Sequence, residues 1–197
     1  MTNSNNPENI PLNRTQILSI MGFTAVILLL IAKVWEKLGG VKILNLKFTI
    51  AAFVLGIGMA IGITVASSVV YRIWPAYRHS ADRYLELVLK PLLWVDLIWL
   101  GLLPGLSEEL LFRGVMLSAL GLNAIALIVS SIVFGAAHFS GSGQLPYVVW
   151  AAIVGLVLGY SAIATQNLLV PIVAHIVTNC LSSGLWKAKI KLGFPSS

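Results

Sequence analysis

From Phe48 to Tyr71 the chain runs without one charged side chain. A helix needs about 20 apolar residues to cross a bilayer, so this run is long enough. In hydrocarbon each backbone N–H and C=O must find its partner within its own segment or a closed barrel, which restricts such a run to a helix. Apolar runs recur at Ile17–Ala32, Leu92–Leu106, Gly114–Ala137, Leu145–Ala164 and Leu168–Trp186. The pattern predicts an all-α fold, a polytopic transmembrane helix bundle of about six to seven membrane segments.

Only 10% of the residues are charged and 58% are hydrophobic, whereas a soluble domain carries about a quarter charged residues. No polar stretch is long enough for a second globular domain. The formal charge of +6 raises the question of nucleic acid. No basic helix with interleaved aromatics accompanies it, so no nucleic-acid partner is expected. The basic residues lie between apolar runs and at the C-terminus, as in loops facing the cytoplasm and anionic lipid. The expected place is a multi-pass integral position in a prokaryotic plasma membrane or an internal membrane. The single cysteine, Cys180, excludes an intrachain disulfide and reads as a small packed hydrophobe.

The chain divides into a polar N-terminal tail (1–13), N-terminal transmembrane helices with a polar loop (14–90), a membrane core (91–187) and a basic C-terminal tail (188–197). The N-terminal tail lacks a basic n-region, and the first apolar run reads as a retained anchor. Lys33, Glu36, Lys37, Lys42 and Lys47 are expected to form a basic loop, and Arg72–Lys90 a polar loop with a short amphipathic helix. Pro104-Gly105 marks a kink or a turn. Ser107 is then placed to cap a new helix, with Glu108 and Glu109 in its positive first turn. A kink gives six spans and a hairpin seven; seven put both basic regions on one side, which the positive-inside rule prefers. Gly58/Gly62 and Gly155/Gly159 have the spacing that favours close helix packing, without setting an oligomeric state.

The polar residues within apolar sequence carry the chemistry, because charge there is costly. Ser107–Gly114 reads SEELLFRG. On a helix Glu109 and Arg113 are one turn apart and can pair. Glu108 points about 100° away from Glu109. Arginine can therefore hold one glutamate while the other faces a cavity, where low dielectric suits a base working near neutral pH. Phe134 and His138 share a helix face, as do His175 and Asn179. Taken singly, these sets read as an ion cluster at the membrane surface, an interfacial histidine and an interhelical hydrogen-bonding patch. Three in one small membrane chain point to chemistry.

Two arrangements would hydrolyse an amide. In one, Glu108 takes a proton from water, His138 orients or shares it, and His175 and Asn179 donate to the oxyanion. In the other, Glu108, His138 and His175 ligate zinc with Asn179 helping, and zinc acidifies the water. The H-E-x-x-H motif is absent. Cys180 lies about 140° around the helix from His175, a poor position for a nucleophile.

The ordered set Glu108-Glu109-x-x-x-Arg113, Phe134-x-x-x-His138 and His175-x-x-x-Asn179 resembles the CAAX prenyl endopeptidase family. This family is also called CPBP or Abi, and contains CAAX proteases and bacteriocin-processing enzymes. The likeness covers about Leu92–Trp186 and makes 91–187 a CPBP-like catalytic core. It implies an α-helical intramembrane endopeptidase in which Glu108 activates water with His138 and His175 with Asn179 stabilises the oxyanion. Glu109, Arg113 and Phe134 would be supporting members. The family has been viewed both as metalloproteases and as metal-independent glutamate proteases; here no cofactor is expected, with Zn2+ the alternative. The chain is shorter than the eukaryotic enzymes and resembles the prokaryotic branch, so the reaction class carries over further than a prenylated substrate. The expected partners are a protein or peptide substrate in or at the membrane, and the bilayer. A non-catalytic immunity or scaffold protein binding another membrane protein is the alternative. A small transporter is disfavoured by the lack of duplicated halves.

Overall fold

The structure is a computed structural model that describes residues 12–141 and 143–192. Asn13 opens α1 (Arg14–Gly39) with a capping box: its Oδ1 accepts from Gln16 N, and Gln16 Oε1 accepts from Asn13 N, both at 2.9 Å. The helix stops where Gly40 takes a left-handed φ of 58°. Nothing earlier breaks it, so Lys33, Glu36 and Lys37 lie on its last turns, not in the expected basic loop. Of that loop only Lys42 and Lys47 remain. The rest of the expected polar tail, residues 1–11, lies outside the described residues.

Thr49 caps α2 (Ile50–Ile73) by accepting from Ala52 N at 3.1 Å. Pro75 starts α3 (Pro75–Leu89), where its missing N–H costs nothing; this is the helix expected in the polar stretch. A 3₁₀ turn, Trp94–Asp96, leads into α4 (Leu97–Glu109), which continues as a π-helix over Leu110–Met116 and one last α turn, Leu117–Ala119. Asn123 caps α5 (Ala124–Ala136). Then come α6 (Leu145–Thr165) and α7 (Leu169–Lys191). Lys187, Lys189 and Lys191 thus occupy the last turns of α7; the expected basic tail beyond Leu192 lies outside the described residues.

Four helices, α1, α2, α6 and α7, are long and apolar enough to cross a membrane, and α3 with the helix over 94–119 would add a fifth as a pair bent by 106°. The 13 residues of α5 reach only about 20 Å, short of a hydrocarbon core of about 30 Å. Among the described residues the count is therefore four to five, below the expected six to seven. The hairpin is excluded because Pro104 and Gly105 lie inside α4. Large apolar side chains such as Phe23, Phe48, Ile50 and Ile125 point outward, as lipid-facing positions do. The protein is a multi-pass helical bundle of the membrane.

The core forms around α7, with Val170, Pro171 and Ala174 fully buried. Glycines let its neighbours come close. A Cβ on Gly56 of α2 would lie 2.7 Å from Val173 Cβ. On α4, a Cβ on Gly101 would lie 2.5 Å from Cys180 Sγ, and one on Gly105 2.5 Å from Ile176 Cγ1. Gly155 and Gly159 of α6 pack as their spacing suggests, against Phe134 and Leu127. Around Gly58 and Gly62 a Cβ would meet nothing within 4 Å, so that pair makes no close contact inside the chain. At the turn before α7, Asn167 clasps the loop after α1: its Oδ1 accepts from Lys47 N and its Nδ2 donates to Lys47 O, both at 2.9 Å.

Candidate active site

The polar residues meet where α4, α5 and α7 converge. Ser107 does not cap a helix; its Oγ donates to Leu103 O at 2.7 Å from inside α4. Glu108 and Glu109 accordingly sit at the far end of α4 and not in a first turn, so the N-terminus of their own helix does not stabilise their charge. The π-helix beyond them carries Arg113; such segments recur at functional sites because the extra residue re-aims side chains.

Glu109 is completely buried, and its Oε1 accepts from Arg113 Nη1 at 2.8 Å and from His175 Nδ1 at 2.7 Å. Arg113, also buried, spends Nη2 on Gly155 O at 3.0 Å. Its guanidinium lies 4.2 Å from the centre of the Phe134 ring, a cation–π cover that strengthens in a desolvated site. Phe134 serves twice, since its carbonyl holds His138 Nδ1 at 2.8 Å. His138 itself lies just past the end of α5, one turn from Phe134.

That contact fixes the tautomer of His138. A carbonyl oxygen only accepts, so Nδ1 carries the proton and Nε2 of the neutral ring presents a lone pair. Nε2 faces Glu108 Oε2 at 3.8 Å. This is too long for a hydrogen bond and suits a bridging water. Glu108 Oε2 is buried with no hydrogen-bond partner among the described residues. With the carboxylate ionised and the ring neutral, two acceptors confront each other, and a molecule with two O–H donors satisfies both.

Glu108, His138, His175 and Asn179 line one cavity of about 530 Å³. Asn179 Nδ2 donates to Leu100 O at 3.4 Å. Glu109 and Arg113 stand behind the wall, not in it. The aromatic side of the cavity was not expected from the sequence: Tyr84 stacks on Tyr147 with centroids 4.5 Å apart, and the Tyr147 ring is 6.3 Å from that of His138. The i,i+7 spacing of Tyr77 and Tyr84 and the i,i+3 spacing of Tyr147 and Trp150 were the signals that could have found it. Cys180 does not line the cavity; its Sγ reaches toward Leu97 O at 3.5 Å in the contact between α4 and α7.

Zinc was the alternative, with Glu108, His138 and His175 as its ligands. Among the described residues no three His, Cys, Asp or Glu side chains are placed to hold a metal ion. His175 Nδ1 is engaged by Glu109 and His138 Nδ1 by Phe134 O. Each ring thereby keeps Nε2 as the atom it would offer to a metal, the usual arrangement of a ligating histidine.

Residues 90–181 match the protein family described as type II CAAX prenyl endopeptidase Rce1-like. Every candidate residue from Glu108 to Asn179 falls within that range. The chain is also 25% identical over 126 residues to uncharacterized protein YpbD of Bacillus subtilis (strain 168). That match spans 64% of each chain, just under two thirds of the relative's length. No solved structure matches the chain significantly.

Proposed function

We propose that this chain, which carries an Rce1-like domain at residues 90–181, is an intramembrane endopeptidase acting on a membrane-associated protein or peptide. The observation that carries the reading is the confrontation of Glu108 Oε2 and His138 Nε2 at 3.8 Å, in a cavity that His175 and Asn179 also line.

Water held between the two acceptors gives its proton to Glu108, with His138 orienting it. The oxygen forms a bond to the scissile carbonyl carbon, and the carbonyl π pair moves onto its oxygen. His175 Nε2 and the second N–H of Asn179 donate to that oxyanion. The C–N bond then breaks and the proton returns to the leaving nitrogen, so one water is consumed and a carboxyl and an amine are released. General-base help of this kind contributes roughly 10²–10⁴ in rate, and one oxyanion donor roughly 10²–10³.

His175 already gives its Nδ1 proton to Glu109, so a donating Nε2 requires the doubly protonated ring. Glu109 supplies the counter-charge. The cavity's apolar and aromatic walls suit a greasy substrate segment.

N-terminal peptide profiling of native membranes containing wild type or Glu108→Gln at equal abundance tests the reading. New protein termini found only with wild type support it and identify substrate and cleavage site together. Identical profiles overturn it in favour of a non-catalytic membrane scaffold.

A further inference from the structure

Asn179 is held by an unusual acceptor. In a regular helix the Leu100 carbonyl would receive the N–H of residue 104. That residue is Pro104, which has no N–H and whose ring pushes the carbonyl of the fourth preceding residue off the helix axis. The freed oxygen faces α7, where Asn179 Nδ2 donates to it at 3.4 Å. The approach is made possible on either side of the proline. A Cβ on Gly101 would lie 2.9 Å from Ile176 O, and one on Gly105 3.2 Å from Ile176 N, so α4 and α7 touch backbone to backbone. Leu100, Pro104 and Asn179 all line the cavity of Glu108.

We infer that Pro104 is a positioning residue for Asn179: the carbonyl it frees fixes which end of the Asn179 amide faces the cavity. A carbonyl can only accept, so it selects the amide nitrogen and rejects the flipped orientation. One N–H of Asn179 is spent on Leu100 O and the other remains for the oxyanion. The inference rests on the reading of Asn179 as an oxyanion donor, although its structural half stands without it. At 3.4 Å the bond is at its long limit. A small return of the carbonyl toward the helix axis therefore breaks it, and that is what a restored N–H at position 104 would cause.

Two readouts on the full-length protein decide the matter. In detergent micelles with ¹⁵N-asparagine labelling, the side-chain amide pair of Asn179 is the one missing from Asn179→Ala. It is expected to shift in Pro104→Ala, while the pairs of Asn123 and Asn167 stay in place. An unmoved Asn179 pair overturns the inference, whatever the protein's activity. Pro104→Gly restores the same N–H and replaces Pro104→Ala should that variant not fold. The second readout is a double-mutant cycle on cleavage of the substrate found by profiling. Pro104→Ala is expected to slow cleavage roughly 3- to 10-fold, as for one lost orienting hydrogen bond, and to add nothing in an Asn179→Ala background. Equal losses in both backgrounds mean that Pro104 acts through helix shape alone and overturn the inference. Absence of cleavage by wild type would defeat the functional reading instead, and the amide spectrum would still decide this one.

Discussion

Glu109 and His175, 66 residues apart in the chain, are joined by a hydrogen bond of 2.7 Å in the buried core of the bundle. The same carboxylate oxygen accepts from Arg113 at 2.8 Å. One acidic side chain thus ties α4, the π-helix and α7 together behind the cavity wall. Glu108, its neighbour in sequence, faces the cavity.

Breaking this buried set is expected to destabilise the fold. Glu109→Ala leaves the Arg113 guanidinium buried without its carboxylate, a loss of about 3–5 kcal/mol. Removing both in Glu109→Ala/Arg113→Ala is expected to cost less than the sum of the single losses, because no buried guanidinium is left without its carboxylate. Unfolding midpoints of the three variants in the same detergent check this; additive losses would contradict it.

Glu108→Gln is expected to keep the folded protein in the membrane and to lower cleavage by at least about 10²-fold, the low end for a lost general base. The amide removes the negative charge but not the volume. Equal yield and elution of the purified variant, set beside its cleavage rate, separate this outcome from misfolding.

Cleavage is expected to withstand a strong zinc chelator, because the proposed reaction uses only side-chain groups and water. Rates before and after chelation, and again on zinc addition, check this. Loss on chelation with recovery on zinc would require Glu108, His138 and His175 to rearrange into ligands.

Two glycines with opposite surroundings make a paired test. A Cβ on Gly135 would lie 2.7 Å from the Val148 carbonyl oxygen, a backbone atom that cannot swing away. Gly135→Ala is expected to cost about 1–3 kcal/mol through overpacking. Gly58→Ala meets open space inside α2 and is expected to stabilise by about 0.5–1 kcal/mol, since glycine is the poorer residue in a helix interior. Thermal stability of both variants in micelles gives the comparison.

Asn167→Ala is expected to cost about 1–3 kcal/mol, because it strands both backbone groups of Lys47 that the side chain holds. Asn167→Asp keeps the acceptor for Lys47 N but sets a second acceptor against Lys47 O, so its loss is expected to be at least as large as that of Asn167→Ala. An Asp variant as stable as wild type would argue against the clasp.

Local periodicity and run length were determined by the sequence alone. Uncharged runs must be helices in hydrocarbon. A spacing of four places Glu109 beside Arg113, Phe134 beside His138 and His175 beside Asn179, because 3.6 residues make a turn. Tertiary structure alone decided the features that depend on contacts between distant elements. Pro104-Gly105 reads equally well as a hairpin or a kink; it lies inside α4 because Gly101 and Gly105 let the helix lie flat against Ile176 and Cys180. The spacing of Gly58 and Gly62 matches that of Gly155 and Gly159, yet only the second pair packs inside the chain. His175 could have met either glutamate, and it bonds Glu109 while His138 faces Glu108. Periodicity fixes which residues share a face of one helix. It carries no information on the rotation and depth at which that helix meets the next, which are set by side-chain volume and by the pairing of buried charge.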